Sequence, residues 1–312
     1  MVSSISDFVK CPKTDTHNHM NLGMRYASYA PWAGFYIPDF PRRMNGLDEF
    51  HAAVIIPYTR PRCKTMKDVQ DLFSLTVQDA IADNVKVLEG SADISFVHHC
   101  GSVENYVNLV QRVKDKFKDK IDFRPELGMG KTFDIEKIYK WAPELLESGV
   151  FNSIDLYGPE VEDGLDKFVD IYKLAAKLGI KKKAHVGEFS DAHSVQRFVE
   201  IFELDEVQHG RNAADDPSVV QFLREHNVAL NICPESNVML GAEPSYKAEA
   251  EKIRTLVDAG ILVNLSTDDL LFFNKNNSEQ CVDLAKTGLF TVDELKAMLQ
   301  KSYEVHVAAP AA

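Results

Sequence analysis

Stretches with helical spacing of apolar residues alternate with short apolar runs through most of this chain, and that rhythm narrows the possible folds more than any other feature. Helices are predicted over Met66 to Ala82, Val103 to Lys120, Phe133 to Ser148, Gly164 to Leu178, His193 to Phe202, Pro217 to His226, Tyr246 to Ala259 and Val292 to His306. Pro217 stands in a first turn, and Gly179 and Gly260 follow helix ends, as capping requires. Strands are predicted at Val85 to Ile94, Asp122 to Met129, Asn152 to Gly158, Lys181 to Glu188, Glu206 to Gly210, Val228 to Pro234 and Ile261 to Asp268, after an opening strand that ends in His17 and His19. About eight strands, each followed by a helix, are what a closed (β/α)8 barrel of the TIM type needs. An open doubly wound sheet is the alternative, but it usually carries a Gly-rich phosphate loop after its first strand, and the sequence has none there.

The 312 residues are 45% hydrophobic and 26% charged, ordinary for a soluble globular protein, and residues 1–306 are expected to form one barrel domain. Between residues 20 and 62 the rhythm stops. That segment is rich in Tyr, Phe, Trp and Pro, and reads as a long lid inserted after the first strand, with short helices. Its aromatics either pack on the main body or line a pocket. The tail 307–312 is expected to be disordered. With a net charge of −12 and no basic stripe, a nucleic-acid partner is not expected. The longest basic run, Lys181 to Lys183, reads as a strand entrance at the solvated end of the fold. The five cysteines are scattered without a CxxC pair, so neither a disulfide framework nor a cysteine zinc site is expected. No apolar stretch suits a signal peptide or a membrane span, and a cytoplasmic setting is expected. The sequence leaves the oligomeric state open.

Chemistry-bearing residues fall at the strand ends. In KTDTHNHMNLG, His17 and His19 are two apart, so in a strand both imidazoles point the same way. Later strands end in Asp155 and Gly158, in His185 and Glu188, in His209, in Cys233, Ser236 and Asn237, and in Asp268 and Asp269. Barrel active sites sit at that face. Three histidines and a carboxylate there make an N/O ligand set for zinc. Glu188, three residues past His185, is then free for proton transfer. Asp15 shares a face with the two histidines and either supports them from behind or belongs to a polar layer of the barrel. Cys233 reads as a buried small residue, not a nucleophile. His51, His98, His99, His193, His226 and His306 read as surface, cap or packing residues, although His98 and His99 follow a strand end.

The motifs THNH, DLYG, HVGE, QHG, CPESN and STDD, in this order, resemble those of the adenosine deaminase family of the amidohydrolase superfamily over nearly the whole chain. The resemblance implies a barrel holding one Zn²⁺ on His17, His19, His185 and Asp268. It implies hydrolytic loss of the 6-amino group of a purine nucleoside or nucleotide through zinc-hydroxide attack at C6. Glu188 would protonate N1, His209 would act as base, Asp269 would hydrogen-bond N7, and the Gly158 N–H would meet N3. Asn21 stands where adenosine enzymes of the family usually carry a ribose-binding aspartate. N6-modified AMP deaminases carry asparagine there, which keeps a nucleotide substrate open. Leu270 replaces the proline usual after STDD. Two alternatives stand beside this reading: an amidohydrolase acting on another amine or amide heterocycle, and a non-catalytic barrel that binds a nucleoside or partner protein. The bridging lysine of two-metal relatives is missing between Asn152 and Gly158, and no ligand is lost.

Overall fold

The computed structural model describes residues 4–34 and 43–308. Eight parallel strands follow one another in sequence order around a nearly closed barrel: β1 (Lys13–His19), β2 (Val85–Asp93), β3 (Asp122–Gly130), β4 (Ser153–Tyr157), β5 (Lys181–Val186), β6 (Glu206–His209), β7 (Ala229–Ile232) and β8 (Val263–Leu265). The helices lie between them. Their apolar stripes meet the outward faces of Val207, Leu230 and Ile154 and of similar β-branched and leucine residues, all buried. Met66–Ala82 is bounded as its periodicity predicts, and Thr65 caps it by accepting from the Asp68 amide. The last helix runs to Ala308, two residues into the expected tail, because Leu295, Leu299, Ser302 and His306 keep its inner stripe buried. Residues 309–312 of that tail lie outside the described residues. Helices at Pro234–Met239, Leu270–Phe273 and Asn277–Lys286 were not anticipated; they are short insertions after β7 and β8 that the strand-helix rhythm hides.

Strands β1 and β8 meet through side chains as much as through backbone. The Asp268 amide donates to the His17 carbonyl at 2.9 Å, and Asn18 bridges to Asp268. The Asp15 carboxylate accepts from the amide (3.2 Å) and hydroxyl (2.6 Å) of Thr267, and Asn18 donates to the same hydroxyl at 2.9 Å. Asp15 therefore ties the two ends of the barrel together. Its hydrogen bonds go to Thr267 and Asn18, which places it in the polar layer of the barrel.

The solvated-end reading of Lys181 to Lys183 is wrong. Alternation turns Lys181 and Lys183 into the barrel, where Lys183 is fully buried. Its Nζ lies 2.6 Å from Glu89, 2.9 Å from Glu126 and 3.6 Å from Glu206. Burial opposes its charge, but attraction from Glu126, Glu89 and Glu206 holds its pKa well above the ordinary range. Glu89 is held down to about 2: burial acts against this, and Lys183 and Lys181 outweigh it. Burial pushes Glu126 up to about 7.

Residues 20–62 are largely helical where described. They comprise a helix at Tyr26–Ala33, another at Gly46–Phe50, and a π-helix at His51–Thr59 that contains Pro57. The expected lid's residues 35–42 lie outside the described residues. Tyr29, Phe50 and Val54 join Leu240, Phe272 and Phe273 in a second apolar cluster at the C-terminal end of the barrel. The segment thus stands as a side wall there. Among the described residues no helix is long and apolar enough to cross a membrane, and all five cysteines are free.

Replacing Lys183 by methionine leaves three buried carboxylates without their shared cation. Lys183→Met should lower the unfolding free energy by about 3–5 kcal/mol in urea titrations. A loss below about 1 kcal/mol would mean that solvent screens the cluster.

Candidate metal and active site

The C-terminal strand ends gather the predicted residues on the floor of one cavity of about 700 Å³. Strand β1 ends in His17 and His19, β5 carries His185, β6 ends in His209, and Asp268 follows β8. The rings of His17 and His185 are 4.5 Å apart between centroids, as are those of His17 and His209. Nitrogens of His17, His19 and His185 lie within 4.8 Å of one another. Asp268 Oδ1 is 3.6 Å from His17 Nε2 and 3.4 Å from His19 Nε2. His209 and Asp268 hold left-handed backbone, with φ of 64° and 56°, a conformation that costs about 1 kcal/mol in an L-residue. At those angles the chain leaves the strand direction and turns each side chain across the barrel mouth.

The imidazoles are presented as ligands. His17 Nδ1 faces the Asn231 carbonyl at 3.2 Å, and His185 Nδ1 faces Asp155 Oδ1 at 3.0 Å. When each Nδ1–H donates, each Nε2 keeps its lone pair. His17 Nε2 is buried with no hydrogen-bond partner among the described residues. Burial and the neighbouring imidazoles hold His17 well below the usual histidine range; burial, then His19 and Lys131, does the same to His185. Neutral imidazoles are what a metal needs. Donors about 2.0 Å from a tetrahedral ion stand roughly 3.3 Å apart, close to the spacings from Asp268. The residues present therefore fit a zinc-like ion on His17, His19, His185 and Asp268. Ser236 donates to Asp268 Oδ2 at 2.6 Å and fixes that carboxylate. Cys233 sits with His17 and His209 in a second possible group, but burial pushes its thiol far above the usual range, which disfavours the thiolate.

Glu188 and Asp269 line the same cavity. Glu188 Oε2 is 3.5 Å from His209 Nε2, and its Oε1 is buried without a partner among the described residues. Burial, then the carboxylates of Asp268 and Glu160, pushes Glu188 well above the usual carboxyl range. Burial and Asp268 do the same to Asp269, whose Oδ1 also lacks a partner among the described residues. Burial holds the His209 imidazole well below its usual range. Asn21 and Gly158 are in the cavity wall. His19, Asn21, Gly158, His185, Glu188, His209, Asp268 and Asp269 thus line one cavity, with His17 buried against His185 and His209.

Four other residues stand beside these; the sequence places Asp155 at a strand end and Tyr157 in the DLYG motif without giving either a role. Asp155 supports His185, and burial lifts its carboxyl to about 7. The Tyr157 ring stands 5.4 Å from His19. His51 and His99, read as surface or packing residues, line the cavity. The π-winding of residues 51–59 brings His51, Ile55 and Thr59 to the cavity side, and apolar periodicity does not reveal that winding. Elsewhere the packing readings hold: His98 lies against Trp141, and His306 Nδ1 donates to the Ser302 carbonyl.

Comparison with known proteins gives the same direction. The adenosine deaminase family model matches residues 58–309. A putative adenosine/adenine deaminase of Treponema pallidum (strain Nichols) is 48% identical over 299 residues, spanning 96% of this chain and 99% of that one. An adenine deaminase from Arthrobacter aurescens superposes with a TM-score of 0.74 at 20% identity, over 96% of this chain and 100% of that one. The apo N6-methyl-AMP deaminase from Arabidopsis thaliana superposes with a TM-score of 0.77 at 18% identity, over 99% and 94%. These last two share the fold.

Asp155→Ala frees the His185 ring to rotate. Zinc affinity, measured by competition with a chromophoric chelator, should fall about 10–100-fold while the fold is kept. An unchanged affinity would show that His185 is oriented by something else.

Proposed function

The chain belongs to the adenosine deaminase family and is a hydrolytic deaminase, and from that premise we propose that it removes the 6-amino group of a purine nucleoside or nucleotide. The observation that carries this reading is a set of buried polar atoms without partners among the described residues: Glu188 Oε1 and Asp269 Oδ1 in the cavity lining, and His17 Nε2 close to Asp268. Burial makes such atoms costly unless a ligand meets them. A zinc ion held by His17, His19, His185 and Asp268 would supply a water whose pKa is lowered towards neutrality.

The chain's own residues do the rest. His209, kept neutral by burial, accepts a proton from the water that adds to C6. Glu188, kept protonated by burial and by its acidic neighbours, delivers its proton to N1. Asp269, also protonated, donates to N7, and the Gly158 amide meets N3. The amino group then takes the proton held by His209, the hydroxyl on C6 returns one to Glu188, and ammonia leaves a 6-oxo purine (methylamine leaves from an N6-methyl substrate). Asn21 supports a second substrate reading. Its uncharged amide in the cavity wall bonds a hydroxyl without repelling a phosphate, so AMP and N6-methyl-AMP belong among the candidates.

The test is release of ammonia by zinc-loaded protein from adenine, adenosine, 2′-deoxyadenosine and AMP, and of methylamine from N6-methyl-AMP, each with a chelated control. Chelator-sensitive release from one of them is expected, and silence from all with metal bound would overturn the purine reading. Glu188→Gln should keep its metal and lose about 10²–10⁴-fold in kcat. His17→Ala should lose metal and activity together, and stoichiometric zinc in that variant would refute the ligand set.

A further inference from the structure

A group reserved for proton transfer cannot also be anchored by its own carboxyl. Glu188 Oε1 has no partner among the described residues, and Oε2 lies only near His209. Its position has to come from its backbone. Packing holds that turn on the Gly187 side, but the residue after Glu188, Phe189, is 41% exposed. What meets the turn is Glu160, from the loop after β4. One of its oxygens accepts from the amides of Gly187 (3.0 Å), Phe189 (3.1 Å) and Ser190 (2.7 Å), and the other from the amide of Glu188 itself (2.9 Å). Consecutive amides converging on one site make an anion-binding nest. Here the anion is a side chain of the same protein, and bonds to a carboxylate are roughly twice as strong as neutral ones.

The turn can take this form because Gly187 has φ of 78°, and a Cβ there would stand 2.4 Å from Val195 Cγ2. On the opposite side the Glu188 carbonyl accepts from Arg211 Nη2 at 2.8 Å and from Asn212 Nδ2 at 3.3 Å. Arg211 is itself buried and paired with Glu243. Both backbone groups of Glu188 are therefore held while its carboxyl is left open.

We infer that Glu160 is the positioning residue for Glu188: it gathers the amides of residues 187–190 and fixes the turn from which the Glu188 carboxyl reaches the substrate. The inference rests on the reading of Glu188 as proton donor. In Glu160→Gln one acceptor oxygen becomes an amide donor facing N–H groups. Amides 187–190 should then exchange with deuterium faster, and kcat should fall about 10–100-fold, with KM nearly unchanged and full metal content. Glu160→Asp keeps the charge but is one carbon shorter, and should show a smaller loss of the same kind. In a Glu188→Gln background, Glu160→Gln should cost little more, because both changes remove the same function.

Unchanged exchange in Glu160→Gln would overturn the inference, as would an equal further loss in both backgrounds. So would a Glu160→Asp protein with wild-type kcat and exchange, which also decides the matter if Glu160→Gln does not fold. Normal turnover by Glu188→Gln would instead remove the proton-donor reading itself. An inactive Glu188→Gln beside a fully active Glu160→Gln would remove only the positioning role.

Discussion

The seam between the first and last strands is the constraint on which the site depends. His17 and His19 enter early in the chain and Asp268 enters near its end, so the proposed metal set can form only once the barrel has closed. Closure brings together segments far apart in sequence, an entropic cost that local contacts cannot offset. The seam is met there by a buried polar set, with Asp15 joined to both polar groups of Thr267 and Asn18 bonded to the same hydroxyl. One backbone bond, from Asp268 to the His17 carbonyl, then places the carboxylate against two imidazoles. Folding and ligand assembly are a single event in this geometry.

The barrel carries its charge in two layers with different purposes. At the N-terminal end, Lys181 and Lys183 pair with Glu89, Glu126 and Glu206. The arrangement is internally satisfied and stiff. At the C-terminal end acids and histidines gather, and burial shifts His17, Glu188 and Asp269 towards their neutral forms. The lower layer supports the strands; the upper layer keeps its polar atoms available. Side chains such as Ser236, Asp155 and Glu160 hold the reacting groups at atoms not needed for chemistry.

Most of this was legible because period-two alternation and strand-end position decide where a side chain points. Those two rules alone bring His17, His19, His185 and Asp268 to one face of the barrel. Lys183 was misread for a related reason. A run of three lysines looks like surface until its partners are known, and they lie on β2, β3 and β6. Glu160 was missed because its partners are backbone amides, which a sequence does not distinguish. His51 is exposed, as a surface residue is expected to be, but it also lines the cavity, because the helix that carries it packs beside the barrel mouth.

The left-handed backbone at His209 and Asp268 sets local comfort against use. Histidine and aspartate tolerate that region better than most residues, yet glycine would occupy it more easily. A directed search for heat-resistant variants, run without an assay for turnover, would therefore be drawn to two positions at the barrel mouth. The variants it rewarded there would be sturdier barrels with an empty workbench.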